Sequence, residues 1–349
     1  MSRALQLALL GAAMCLFASA FAVSALYVPG VTLLLVALAA ATLVWLATRR
    51  ARVELHLRAE RVEEGEYVSV SASVAGGLSS LCRGALSVVP GAEPVPIDWT
   101  NRSAERQVRA ARRGRAAVGP ATARWADPFQ LCVRERASAT RELLVLPRLQ
   151  HVGPRELERI MSLPAPRSVP DDGLEFDGLR ELVAGAPASR IHWLTVARTG
   201  VAMERRFRDE DGHRPVTVAL DAHAAASVEA LDMAVRAAAS LCHGFATAGG
   251  CSVLLPGRPW LDDLAPDREA WPWIHELLAT VEQDTAPRWE LLREARRLVL
   301  VQARPPQAPP GVPACCYVSP LAAAGAGALF RVAGCTVQAA RHGRTERAA

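Results

Sequence analysis

Residues 6–28 carry no charged side chain, and beyond Pro29-Gly30 a second uncharged run covers residues 31–47. The first run, 23 residues long, exceeds the roughly 20 that a helix needs to cross the hydrocarbon core of a bilayer. The second lies at the short end of the spanning range. Neither has a polar stripe at helical spacing, so each predicts a helix with no face suited to water. That counts against the competing reading, two helices buried inside a soluble protein. Pro29-Gly30 predicts the break between them.

From Val53 the period changes to two. "VELHLRAERVEEGEYVSVSASVAG" alternates apolar and polar residues around a turn signal at Glu64-Gly65. Further strands are expected at 84–89, 106–111, 115–118, 121–125 and 142–146. Short strands with Gly/Pro turns and no helical period predict a small antiparallel β-sandwich. "SLPAPRSVPDD" reads as a linker.

The chain then alternates strands at 216–220, 252–255, 298–301, 316–318 and 330–337 with helices at 228–247, 267–281 and 288–295. That rhythm predicts an α/β domain with a largely parallel sheet covered on both faces. The expected organisation is a helical hairpin over 1–50, a β-sandwich-like domain over 51–150, a linker over 151–172, the α/β domain over 173–340 and a disordered tail over 341–349.

Charge adds an orientation. Arg3 precedes the hairpin and Arg49, Arg50 and Arg52 follow it, whereas its turn has no basic residue. The positive-inside bias therefore predicts a two-pass protein of the inner or plasma membrane with both termini and the soluble domains cytoplasmic, and Trp45 in the interfacial belt. "ASAFA" resembles a signal-peptidase site, but the second span would still return the chain to the cytoplasm. Met14 stands where lipidation at Cys15 would want a small residue. A net charge of +5 does not by itself imply nucleic acid, and no such partner is expected. All 40 basic residues are arginine, which reflects a GC-rich genome rather than a function. The eight cysteines show no C-x-x-C or metal spacing and read as reduced, mostly buried thiols.

Candidate chemistry centres on "VTVALDAHAAAS", residues 216–227. An apolar run ending in Asp221 delivers a carboxylate to the carboxyl edge of a buried strand, where α/β folds keep their sites. "RQVRAARRGRAAV" suits lipid phosphates or a partner, or else the solvated face of two strands around Arg113-Gly114; the second reading is preferred. No G-x-x-x-x-G-K-[ST] loop occurs, so the chain is not expected to be an ATPase. No G-x-S-x-G elbow occurs either, which leaves a triad of Asp221, His223 and a serine without nucleophile context.

Several motifs in the second half resemble the bacterial family catalogued as domain of unknown function 58. Gly173, Glu175, Phe176, Leu179 and Arg180 are followed by Gly185, Arg190, Ile191, Trp193, Ala197 and Arg198, in the family's order and spacing. Upstream, "RRGRAAVGP" with Arg113 and Gly114, "DPFQL" with Asp127, Pro128 and Phe129, and "LVLP" are similar to further family elements. The resemblance runs from about residue 1 to 260.

It implies a von Willebrand factor A-like, doubly wound parallel sheet after a β domain on a two-helix anchor. It also implies partnership with a MoxR-type AAA+ ATPase, and with a transglutaminase-like membrane protein as a further partner, in envelope-related or protein-maturation complexes. The retained Glu175, Phe176, Arg180, Gly185, Arg190, Trp193 and Arg198 are docking candidates, or else pin their segment through partners such as Glu175 and Asp177.

Departures from the family bear on the site. Its G-D aspartate is Ala186 here, and its tyrosine is Leu182. A metal-ion-dependent adhesion site reads D-x-S-x-S, because magnesium wants hard oxygen ligands in a near-octahedral shell. Here the residues are Asp221, Ala222, His223, Ala224 and Ala225, so both hydroxyls are missing. No magnesium or other divalent ion is therefore expected, and Asp221 is expected to be satisfied by backbone donors. Zinc could use His223 only with further ligands. Ser227 suits a helix N-cap. The expected function is a non-enzymatic, membrane-anchored interaction protein. The alternatives are a metal-dependent adhesion-type receptor at Asp221/His223 and, more remotely, a hydrolase.

Overall fold

The structure, a computed structural model, describes residues 3–77, 82–97, 102–164, 175–181, 193–201, 203–208, 216–292, 295, 297–309, 311–322, 325 and 327–340. The chain divides into two compact units, Met1–Leu146 and Pro147–Ala349. The tail expected over 341–349 lies outside the described residues.

The first unit opens with two apolar helices, α1 (Arg3–Phe21) and α2 (Tyr27–Thr48), both long and apolar enough to cross a membrane. They are joined by a single 3₁₀ turn, Ser24–Leu26. The break falls earlier than Pro29-Gly30. Ala22 takes a left-handed conformation, φ 52°, and Pro29 lies inside the first turn of α2, where a backbone N–H would have no helical acceptor. Small residues seven apart make the seam: Ala4, Gly11 and Ala18 are buried on α1, and Gly30 and Ala37 on α2. At the crossing, a Cβ on Gly11 would stand 2.7 Å from the Gly30 carbonyl oxygen. Only glycine admits that approach.

Among the described residues ten strands follow: β1 (Arg52–Leu57), β2 (Arg61–Glu63), β3 (Tyr67–Ala75), β4 (Arg83–Ser87), β5 (Val95–Ile97), β6 (Ser103–Arg109), β7 (Gly114–Val118), β8 (Thr122–Ala126), β9 (Val133–Ala137) and β10 (Arg141–Leu146). They pair as β1-β3-β6, β2-β10-β7 and β5-β4-β8-β9. Alternation does what its period requires: Val68, Val70, Ala72 and Val74 of β3 point inward, with serines between them. β5 and β9 go beyond the strands expected from sequence. β9 exposes most of its side chains and β5 has three residues, so neither carries a strong pattern.

Three expectations need correction here. The strands are not all antiparallel, because β2 runs parallel to β10. The strands on either side of Arg113-Gly114 do not pair with each other: β6 joins β3 and β7 joins β10, with Gly114 at φ 110° turning the corner between sheets. Arg113 is buried there rather than on a solvated face. Finally, the hairpin and the β region share one core. Val44 and Ala47 at the end of α2 pack with Ala51, Leu55, Val70, Leu86, Trp125 and Leu143.

The second unit comprises α3 (Pro154–Met161), β11 (Glu175–Glu181), α4 (Trp193–Thr199), β12 (Met203–Arg208), β13 (Thr217–Asp221), α5 (Val228–Thr247), β14 (Cys251–Leu254), β15 (Asp262–Leu264), α6 (Trp271–Ala279), β16 (Leu298–Gln302), β17 (Cys316–Ser319), β18 (Ala328–Val332) and β19 (Cys335–Ala339). Part of the expected linker is helix. Pro154 starts α3 in the first turn, where it is tolerated, and Leu157 and Ile160 bury against the α/β core.

Among the described residues seven strands form one sheet in the order β15-β14-β13-β16-β17-β19-β18. The central four, β14, β13, β16 and β17, are parallel; β15 and β19 run against them, and the edge strand β18, antiparallel to β19, runs in their direction again. Residues 330–337, expected as one strand, fold as the hairpin β18–β19 around Gly334, φ 84°. β15 was not foreseen from the pattern.

Every residue of β13, β14 and β16 is buried, which fits strands covered on both faces. One face packs on α3, α5 and α6. Among the described residues the other is covered by a 3₁₀ turn, Trp289–Leu292, where a helix over 288–295 was expected, and by Val312 and Ala314. α5 can lie close to the sheet because most of its buried residues are small: alanines with Ser240, Cys242 and Gly244.

Candidate functional site

The parallel strands end together at Asp221, Leu254, Gln302 and Ser319, and Asp221 is at the centre of this edge. Its side chain is wholly buried. One oxygen, Oδ1, accepts the His223 backbone N–H at 3.0 Å. The other, Oδ2, accepts the Gln302 amide at 3.2 Å and the Arg304 guanidinium Nη2 at 2.8 Å. Among the described residues only one of its three donors is therefore a backbone group, contrary to expectation. The other two come from the end of β16 and just beyond it, because β13 and β16 pair in register with Asp221 beside Gln302. No local pattern links positions 81 and 83 residues apart.

The donors are themselves held. Gln302 is fully buried and accepts the Gln307 N–H through Oε1 at 2.9 Å, and the Ser319 hydroxyl donates to the Arg304 carbonyl at 2.6 Å. His223 meets Asp221 through its backbone, and its imidazole is exposed; Ala225 is half-buried nearby. Ala224 takes a left-handed turn at φ 51° before Ser227, whose hydroxyl caps α5 by accepting the Ala230 N–H at 3.1 Å. Among the described residues no group of three or more His, Cys, Asp or Glu is placed to hold a metal ion. Chemically, this edge offers a carboxylate already paired with a guanidinium, which leaves it a poor donor for a divalent ion.

All eight cysteines are free. Burial pushes Cys335 up to about 12, and burial together with the Asp127 charge pushes Cys82 up to about 11, so both stay neutral at physiological pH. Cys315 is pulled down by a hydrogen bond with Cys316, but it is buried.

Of the motif positions, Glu175, Phe176 and Arg180 lie on β11, in register with Arg208, Phe207 and Glu204 of β12. Trp193 starts α4, and Arg198 is exposed in its last turn. Gly185 and Arg190 lie outside the described residues. In the first unit, Asp127, Pro128 and Phe129 form the turn between β8 and β9. The buried Asp127 carboxylate accepts the backbone N–H groups of Phe129 at 3.0 Å and Cys132 at 2.6 Å. Phe129 is left 75% exposed.

The second unit also carries a surface cluster that is not among the residues expected from sequence. The Arg258 guanidinium lies 4.5 Å from the Trp260 ring and 5.7 Å from the Trp273 ring. Arg258 and Trp260 both donate to Asp262 Oδ1, at 3.2 and 3.1 Å. Both tryptophans are about half exposed, at 52% and 53%. The adjoining cleft, lined by Leu255, Arg258, Leu277, Val281 and Glu282, holds about 220 Å³, which is below the range of small-molecule pockets. The local signal was "GRPWLDD" followed by "WPW", an arginine among tryptophans. Compared with protein-family models and with curated proteins, the chain finds no match.

Proposed function

We propose that this protein is a membrane-anchored, non-enzymatic interaction protein with a von Willebrand factor A-like second unit, acting with a MoxR-type AAA+ ATPase. The observation that carries this reading is the Arg304–Asp221 contact. At the strand edge where an adhesion-type site would seat a cation, the chain's own guanidinium binds the carboxylate. Counted from β13 as first, the strand order is 3-2-1-4-5-7-6, and the reversal of winding at β13 supports the doubly wound assignment. The two apolar helices support a membrane anchor, and the arginines flanking them support cytoplasmic soluble units. The ATPase, and a transglutaminase-like membrane protein as a further partner, come from the motif resemblance.

With the strand edge occupied, binding is assigned to surfaces. Arginine and tryptophan are the usual interface anchors, and Arg258, Trp260 and Trp273 present both. The test is capture of a MoxR-type ATPase encoded beside the gene by the full chain in detergent. Wild type should retain the ATPase, whereas Trp260→Ala combined with Trp273→Ala should lose it with little change in melting temperature. Retention by the double variant would remove this surface from the proposal, and no capture by wild type would remove the partnership.

A further inference from the structure

We propose that the β8–β9 turn is an interfacial anchor, with Phe129 seated in the headgroup layer of the same bilayer that α1 and α2 cross. This rests on the membrane-spanning reading of those helices. Three observations place the turn at the lipid boundary.

The first is length. α1 has 19 residues, about 28 Å at 1.5 Å per residue, against a hydrocarbon core of about 30 Å. A helix with no length to spare must begin at the boundary, so Ala4 in its first turn marks that level.

The second is a tether. The Ala4 N–H donates to the Leu131 carbonyl at 2.9 Å, which ties the turn to the start of α1. Phe129 is two residues away, within about 7 Å along even a fully extended chain.

The third is stiffness. Asp127 spends both carboxylate oxygens on the N–H groups of Phe129 and Cys132, and its carbonyl accepts the Gln130 N–H at 2.9 Å with Gln130 at φ 54°. A turn fixed so fully nevertheless leaves a phenylalanine 75% exposed, more than any other large apolar side chain described. Contact with lipid accounts for an apolar ring held out by a rigid turn.

The surrounding charge suits the same surface. Arg3, Arg49, Arg50 and Arg52 are exposed at the ends of the two helices and just beyond, within reach of lipid phosphates. The Arg49 guanidinium also lies 5.7 Å from the ring of Trp45, which is 53% exposed. The opposite end of the β region supplies a control. Ala75 ends β3 beside Gly76, where an added Cβ would meet the Arg50 carbonyl, whereas Tyr67 starts β3 about 26 Å away. Tyr67 is also exposed, at 64%.

The experiment places the photo-crosslinker p-benzoylphenylalanine at position 129, 35 or 67 of the full chain. The protein is reconstituted in phosphatidylethanolamine/phosphatidylglycerol vesicles, and covalent lipid adducts are read by mass spectrometry. Leu35, exposed in the middle of α2, reports on the spanning reading itself. Adducts at 35 and 129 but not at 67 are expected. Adducts at 35 without 129 overturn the anchor and leave the span intact. No adduct at 35 overturns both, and labelling at 67 equal to that at 129 overturns a specific anchor.

Discussion

At the scale of single residues, Asp221 and Arg304 decide how the sheet edge is read. The aspartate was legible: an apolar run ending in a carboxylate points to a strand edge. Its partner was not, because an arginine in the proline-rich stretch "ARPPQAPP" has no local reason to meet position 221. Breaking the pair strands a wholly buried carboxylate, so Arg304→Ala should cost about 3 kcal/mol in equilibrium denaturation. Adding Asp221→Ala should recover part of that loss, because the unpaired charge goes with it. In the wild-type chain, millimolar magnesium or zinc should leave the melting temperature unchanged. A ligand at 100 times its Kd would add about 2.7 kcal/mol, which is easily seen. A magnesium shift that disappears in Asp221→Asn would restore the receptor reading.

At the scale of elements, the two apolar helices were visible as uncharged runs, yet their ends were misjudged. Hydropathy marks what a helix avoids and says little about where it stops. The turn at 22–26 is made by Ala22 in a left-handed conformation, and no sequence rule selects an alanine for that role. The glycines Gly11 and Gly30 are better explained by the crossing between helices than by breaking either one. Gly11→Leu should therefore loosen the hairpin by about 1–3 kcal/mol, through overpacking against the Gly30 carbonyl. Leu9→Ala, on the exposed face of the same helix, should change the melting temperature in detergent little. Equal losses from the two substitutions would refute the seam.

For the whole molecule, the divisions of the chain differ from those its composition suggested. Composition changes sharply near residue 50, whereas the first compact unit runs from the hairpin to Leu146. The reason is packing: α2 ends by burying Val44 and Ala47 in the β core. A fragment beginning at residue 51 should thus lose the cooperative melting that one beginning at residue 43 retains, despite the greater solubility hydropathy would assign it. Expression of both, followed by thermal unfolding monitored by circular dichroism, checks this. Equal cooperativity would mean that the helix end is dispensable to the core.

Local chemistry set much of this protein in advance. Two uncharged runs, serine–valine alternation in β3, an α5 bounded by Ser227 and Thr247, and Asp221 at a strand end all follow from periods and caps that act within a few residues. Long-range pairing settled the rest. It set β2 parallel to β10, sent β6 and β7 to different sheets, drew α3 out of the expected linker into a core, and brought Arg304 onto Asp221. Side-chain periodicity fixes which face of an element is apolar. Which other element covers that face depends on the register of strands far apart in the chain, and the cation at this sheet edge was decided by that register.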